Sequence, residues 1–366
     1  MPNLETTFVE NLLQELKDAS SGQSNSIKYL KSDLTRQALV EENENFQVIM
    51  VGGSHLESIL ARFENNQLEM LNFRETDIQK LATKEIFFEY IQEFLEPDVE
   101  VVALNFAYPI EPFVRDGRFD GKLVARPKGH NFEGLYQKNV GQELEEYFLQ
   151  LGRKIKFTIC NDTTALGLAS LNWQDYKNSE KIMGVVGTGF NFGLFENEKT
   201  FVNLELGNFD KFEMTKTGRL VDNASDNKSL QKLEKEVGGG YIFQHFNYLV
   251  EDKKPSLKIK NTKQLSTLLA AQSFVYQEEG LQVYKNSSSF VAMTIFALYK
   301  FKQWQNQDEN LKMLVLIEGS LYWKAYKFKE MVDQKLLDLG MNLDNLKIDQ
   351  TRKIGLKGAA NLVLAD

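Results

Sequence analysis

The feature that most limits what this chain can become is a strand, glycine-turn, strand pattern that occurs twice. The first copy runs FQVIMV, the turn GGS, HLESILARF, the turn ENN and QLEMLNFRE; the second runs KIMGVVGTGFNFGLFE and then TFVNLELG. Short β-branched and aromatic runs bounded by Gly, Asn and Ser read as strands. Three such strands in succession, joined by tight turns, make an antiparallel meander. Two meanders, opened by Gly52 and Gly187, predict two similar halves of the chain. No short-period repeat of the solenoid kind accompanies them.

Helices separate and follow the meanders, so the class is α/β. Residues 4–16 place Phe8, Val9, Leu12, Leu13 and Leu16 on one helical face, and ASSGQSNS then breaks the pattern. A helix over 84–95, the strand VEVVALNFAYP, a Gly- and Arg-rich segment and a helix over 141–151 lead to the strand that enters Asn161. A helical region through SFVAMTIFALYKFKQW, the strand MLVLIEGS and a helix over 326–339 close the order.

A chain of 366 residues, 42% hydrophobic and 26% charged, is long enough for two domains or one large two-lobed body. Glu5 and Glu10 interrupt the N-terminus, and no apolar run approaches a membrane span, so a cytoplasmic protein without membrane partners is expected. The single cysteine, Cys160, cannot form an internal disulfide, and three scattered histidines offer no metal-site spacing. A net charge of −8 disfavours general affinity for nucleic acid, which depends on clustered basic side chains. The densest basic stretch, KKPSLKIKNTK, reads as a solvated loop and helix start.

Chemistry concentrates at two kinds of turn. In KFTICNDTTALGLAS a strand becomes a helix at Asn161 and Asp162. The carboxylate there is either a helix cap or a ligand-facing group, because open α/β sheets bind ligands at the carboxyl ends of their strands. The turn Gly187, Thr188, Gly189 is no dinucleotide fingerprint, since a strand and not a helix follows it. It is either an ordinary hairpin turn or a nest of backbone N–H groups for a phosphate.

From Phe46 to the C-terminus the order of these motifs resembles that of the hexokinase and glucokinase family, within the superfamily that also holds actin and the heat-shock ATPases. Gly52, Gly53 and Ser54 match the family's first phosphate loop, and Gly187, Thr188, Gly189 and Asn191 match its second. The NDT turn resembles the catalytic turn, with Asp162 on the base. LNFAYPIEP and RPKGHNF are similar to two sugar loops, the second mapping Lys128 onto a sugar-binding lysine. VNLELG maps Glu205, and LEKEVGGGY maps Glu234, onto sugar ligands; IEGSLY resembles the adenosine motif through Gly319 and Ser320, and IGLKGAANLVLA the terminal Gly-Ala-Ala segment.

The resemblance implies a short, divergent member with the duplicated actin-like (ribonuclease H-like) two-lobed fold and an interlobe cleft. It implies an N-terminal helix and connection over 1–45 packing on the larger lobe. A small lobe over 46–160 would carry the first phosphate loop and sugar loop, and a large lobe over 161–366 the catalytic turn, second phosphate loop and adenosine motif. The expected activity is transfer of phosphate from ATP, with Mg²⁺, to the 6-position of a glucose-like hexose, by a monomer or homodimer. Asp162 would serve as general base, and Lys128, Asn161, Asn191, Glu205 and Glu234 would hold the sugar.

The first phosphate loop departs from the family. Met50 stands where the acid associated with metal and phosphates is usual, and Glu57 where a basic residue is. A carboxylate about 4 Å from a phosphate charge costs on the order of 1 to 4 kcal/mol. Pro127 and Ala107 each replace a hydroxyl donor, Glu318 replaces an aspartate, and with the chain ending at Asp366 the family's closing helix is expected to be absent. The alternative reading is therefore a catalytically impaired hexokinase-fold protein that binds sugar or nucleotide in a regulatory role. A polymerising actin-like ATPase would leave the sugar positions unexplained.

Overall fold

The computed structural model describes residues 4–23, 26–53, 55–65, 67–124, 130–171, 173, 175–254, 256–271, 273–350 and 353–365. The chain opens with α1 (Leu4–Ser20) and β1 (Leu30–Asp33), and then follows the sequence reading closely through the meander β2 (Phe46–Val51), β3 (His55–Glu64) and β4 (Gln67–Asp77), α2 (Lys84–Phe94) and β5 (Val101–Phe106). A hairpin of β6 (Ile110–Arg115) and β7 (Arg118–Leu123) precedes α3 (Val140–Gln150), β8 (Lys156–Cys160) and α4 (Asp162–Ser170). The second meander is β9 (Lys181–Val186), β10 (Phe190–Phe195) and β11 (Thr200–Asn203). After it come α5 (Lys216–Ala224), α6 (Lys232–Val237), α7 (Gly239–Val250), α8 (Thr262–Ala270) and α9 (Gln277–Asn306). The chain finishes with β12 (Met313–Glu318), α10 (Ser320–Lys324), α11 (Phe328–Asp338), β13 (Leu346–Asp349) and α12 (Ile354–Ala360).

The two meanders seed sheets of one design. The first sheet has the order β4-β3-β2-β5-β8, and the second contains β11-β10-β9-β12-β13 with β1 added beside β11. In each, the first meander strand lies centrally, its hairpin partners lie to one side, and two later strands add in parallel on the other. Parallel addition needs a crossover, which the helices supply. β5, bordered by parallel strands on both sides, is buried along its whole length, as its unbroken apolar run VVALNF requires.

By contacts the chain divides into two compact units. One comprises Leu30–Asn178, Gly193–Asn203 and Thr351–Asp366; the other comprises Met1–Tyr29, Ser179–Phe192 and Leu204–Gln350. The units are interleaved along the chain: residues 161–178, 193–203 and 351–366 belong to the unit that holds 46–160, and 30–45 belong to it as well. Interleaving of this kind leaves no local signal, since it rests on contacts between segments far apart along the chain.

Three local expectations change. Residues 30–33, read as connection, form β1 against β11. The Gly- and Arg-rich segment holds the β6–β7 hairpin, whose turn places Asp116 and Gly117 at φ 51° and 74°. Asp-Gly with both φ positive is a favoured two-residue hairpin turn, a signal present in the sequence. The strand expected through VNLELG stops at Asn203, because Glu205 takes the left-handed conformation at φ 50° and a single 3₁₀ turn follows.

Two packings position the functional turns. In the first unit α12 lies on α4 so closely that a Cβ on Gly358 would fall 1.8 Å from the Ala165 carbonyl oxygen. In the second unit α1 docks through Phe8, which packs edge-on to Phe209 at 5.3 Å and beside Phe290 at 5.4 Å. Such aromatic pairs are worth about 0.5 to 1.5 kcal/mol each beyond the area they bury. Among the described residues no helix is long and apolar enough to cross a membrane.

Candidate functional site

In the first unit the site is built where β8 becomes α4. Asn161, extended at φ −75° and ψ 162°, is the N-cap. Its Oδ1 accepts the Thr163 N–H at 3.0 Å and the Thr163 hydroxyl at 2.8 Å, and its amide donates to the Tyr108 carbonyl at 3.4 Å. Asp162 is therefore the first helical residue and not the cap, although its own Oδ1 also accepts the Thr163 N–H at 2.7 Å. A carboxylate at that position is favoured by the helix dipole. Cys160, just before the turn, is buried, and burial together with the neighbouring Asp162 charge pushes its thiol well above the ordinary range, as befits a filler and not a nucleophile.

The first glycine turn is held from two sides. The Gly52 N–H donates to the His55 carbonyl at 3.0 Å, while the Tyr108 phenol donates to the Gly52 carbonyl at 2.7 Å. His130 accepts the Leu81 N–H on Nδ1 at 3.0 Å and faces the Gly53 carbonyl with Nε2 at 3.4 Å. A ring that accepts on Nδ1 must carry its proton on Nε2, so His130 is the neutral tautomer that donates to Gly53. Burial, its largest influence, lowers its pKa and favours that form. Tyr108 and His130 are 4% and 5% exposed, and their rings pack 5.6 Å apart. Neither was singled out from the sequence; the one available cue was their place in the two sugar-loop motifs. Ser54 and Lys128, both expected at the site, and Pro127 lie outside the described residues.

Beside this turn Met50 of β2 and Glu57 of β3 are directly paired in the antiparallel register. Their sequence neighbours Ile49, Val51 and Leu56 are fully buried, so the half-buried Met50 and Glu57 share the opposite face of the sheet.

In the second unit three stretches of glycine backbone meet. The Gly239 N–H donates to the Gly187 carbonyl at 2.8 Å, and the Gly240 N–H to the Thr188 carbonyl at 2.9 Å. A Cβ on Gly239 would lie 2.7 Å from the Gly187 oxygen. Gly319, at φ +128°, leaves only 2.1 Å between such an atom and the Val186 oxygen. Gly187, Gly239 and Gly319 thus form a backbone cradle at the carboxyl ends of β9 and β12, with Thr188 exposed at its tip and Ser320 opening α10 beside it.

Around the same turn the structure gathers Asn191, Glu205 and Glu234. Asn191 Oδ1 accepts the N–H groups of Phe192 at 2.7 Å and Leu206 at 3.1 Å, which fixes the turn that carries Glu205. Glu234 Oε2 accepts the Phe190 N–H at 3.1 Å, and its Cβ would be 3.0 Å from one on Gly207. Of the sequence-derived candidates, Gly52, Gly53, Asn161 and Asp162 stand in the first unit, and Gly187, Thr188, Gly189, Asn191, Glu205, Glu234, Gly319 and Ser320 in the second.

No protein-family profile matches the chain. A hexokinase of Emericella nidulans is 26% identical over 265 residues, which cover 62% of this chain and 53% of that protein, so the chain spans about half of that relative's length. Among solved structures, a hexokinase from Schistosoma mansoni complexed with glucose matches with a TM-score of 0.77 at 20% identity, over 98% of this chain and 94% of that one. A ROK-family glucokinase from Streptomyces griseus, in complex with glucose and AMPPNP, matches with a TM-score of 0.58 at 14% identity, over 87% of this chain and 99% of that one. The fold is the duplicated actin-like fold of the sugar kinases. In sequence the chain is similar to hexokinases at 26% identity or less.

Proposed function

We propose that this chain is a hexose kinase that transfers the γ-phosphoryl group of ATP to a hydroxyl of a glucose-like hexose, with Asp162 as general base. The observation that carries the reading is the position of Asp162, which opens α4 at the carboxyl end of β8, where open α/β sheets bind ligands, while Asn161 is the cap. A sugar hydroxyl is a poor nucleophile. Asp162 would accept its proton as the oxygen bonds to phosphorus and the bond to ADP breaks. Glu205 and Glu234 would accept hydrogen bonds from the sugar hydroxyls, Asn161 and Asn191, which also order the turns around it, would hold it further, and the sequence resemblance adds Lys128 as another sugar ligand. The glucose held by the Schistosoma mansoni hexokinase and the Streptomyces griseus glucokinase is consistent with that substrate class.

The glycine cradle would receive the nucleotide because its glycines bare the backbone at the carboxyl ends of β9 and β12, where ligands of open α/β sheets bind. Gly187, Thr188, Gly189, Gly319 and Ser320 would line it, with Gly52, Gly53 and Ser54 contributing the first loop. Among the described residues no three of His, Cys, Asp and Glu cluster as a metal centre. Mg²⁺ would accordingly arrive on the nucleotide phosphates, where it neutralises charge, in keeping with its usual reliance on few protein ligands.

A second reading has its own support. The Met50–Glu57 pair puts an acidic side chain, and no aspartate, beside the first glycine turn. A protein that binds hexose in a regulatory role and transfers phosphate poorly would fit that chemistry. Mixing the protein with Mg²⁺-ATP and a panel of hexoses, and following ADP release beside an Asp162→Asn control, separates the two. Sugar-dependent release lost in the control supports the kinase; calorimetric sugar binding without release supports the binding protein.

A further inference from the structure

Glu234 lies on α6, a helix of only 6 residues. A helix that short does not sustain itself, so its direction is imposed by what grips it. The two residues after Glu234 are both buried ionisable side chains, Lys235 at 0% and Glu236 at 2% exposed. Lys235 Nζ donates to the Asp222 carboxylate of α5 and, at 2.8 Å, to the Asn227 carbonyl. Asp222 in turn accepts the Ser229 N–H at 2.9 Å, and the Lys235 carbonyl lies 2.8 Å from His245 Nε2 of α7. Glu236 accepts the N–H of Thr215 at 2.8 Å and its hydroxyl at 2.9 Å. Consecutive side chains of α6 therefore reach three separate anchors: Glu234 the Phe190 N–H, Lys235 the end of α5, and Glu236 the Thr215 cap.

A buried ion pair is seldom more stabilising than well-packed apolar residues of the same size, because both charges must be stripped of water. Stability alone gives no reason for Lys235 to be ionic. A charge pair with hydrogen bonds on both sides does supply direction, since it is satisfied in one orientation of the helix. We propose that Asp222 and Lys235 are positioning residues, which hold α6 in the orientation that presents Glu234 to the hexose without touching the sugar themselves. This rests on the hexose-kinase reading for the ligand, and on the geometry of α6 for the pin.

The test compares Lys235→Met, Asp222→Asn and the double variant, which removes both charges yet keeps an acceptor for the Ser229 N–H. Four quantities are read: the urea midpoint, hexose affinity by calorimetry, the separate kcat and KM for hexose, and amide exchange at Phe190. Single variants strand a buried charge and lower the midpoint, and where they do not fold the double variant carries the comparison. The expected result is a double variant whose midpoint returns towards wild type while its hexose KM stays raised by about tenfold or more with kcat within a few-fold, the pattern of lost ground-state binding. The Phe190 amide exchanges faster in the same protein. Recovery of hexose affinity together with the midpoint overturns the proposal, because the pair then acts through stability alone. A wild-type chain that binds no hexose defeats the kinase reading instead, and Phe190 protection unchanged in the double variant defeats the pin on its own.

Discussion

The phenol of Tyr108 donates a 2.7 Å hydrogen bond to the carbonyl of Gly52, so a buried ring at the end of one strand fixes the peptide that opens the first glycine turn. Tyr108→Phe keeps the ring packing against Phe106 and Phe132 but leaves that carbonyl without its donor. The cost is about 0.5 to 1.5 kcal/mol of stability, the net worth of a typical hydrogen bond, because this one is only partly buried. Urea unfolding of the variant and the wild type checks it, and equal midpoints would show that the bond does not hold the turn.

The β8–α4 turn separates two neighbouring roles. Asn161→Ala removes the cap and lowers stability by roughly 0.5 to 2 kcal/mol. Asp162→Asn leaves that cap in place and lowers kcat by about 10² to 10⁴, the usual worth of a general base. Thermal unfolding alongside turnover of both variants decides it. An Asp162→Asn protein that turns over like wild type would remove Asp162 from the chemistry.

The glycine cradle admits no side chain at its centre. Gly319→Ala sets a methyl 2.1 Å from the Val186 oxygen and 2.7 Å from the Gly187 nitrogen, both backbone atoms with little room to yield. The expected outcome is weaker nucleotide binding and a lower unfolding midpoint, because β9 and β12 must move apart at their carboxyl ends. Titration with ADP or AMPPNP measures the first effect directly, and unchanged affinity would place the nucleotide elsewhere.

Glu236 gives the stability a pH dependence of known sign. Burial, opposed by the Thr215 hydrogen bonds and the Arg219 charge, pushes its carboxyl up to about 7 from 4.5. Between those values the folded chain holds a proton that the unfolded chain has released. This contribution is fully present below the unfolded value and is lost as pH rises through the folded one, at up to about 1.4 kcal/mol per pH unit. Buried His245, whose pKa burial lowers, contributes with the opposite sign but is common to wild type and variant. Glu236→Gln should therefore cancel the difference attributable to this group, and unfolding free energies at pH 5, 6, 7 and 8 that run parallel in the two proteins would contradict it.

Much of the layout was legible in the chain because it is local. Both meanders, the helix over 84–95, the fully apolar strand VVALNF and the strand-to-helix turn at Asn161 follow from side-chain period, turn residues and capping preference, which act between residues a few positions apart. The same locality made the glycine turns and the Asn161–Asp162 turn visible as candidates. The Asp116–Gly117 hairpin belongs to this class too, since an Asp-Gly pair between strand-forming residues is itself a local turn signal.

What tertiary structure alone decided involves partners distant in sequence. No local pattern marks residues 30–33 as a strand beside β11, or assigns the end of the chain to the unit of residues 46–160. None says that His130 is neutral, since that follows from a Leu81 N–H on one ring nitrogen and a Gly53 carbonyl on the other. Met50 and Glu57 were visible as substitutions, yet only strand register made them opposite neighbours. Lys235 and Glu236 are visible in the sequence as ionisable residues, but only packing buries them against Asp222 and Thr215. Charge and hydropathy travel with the residue; burial and hydrogen-bond partners belong to the fold, and they determine what a charge can do.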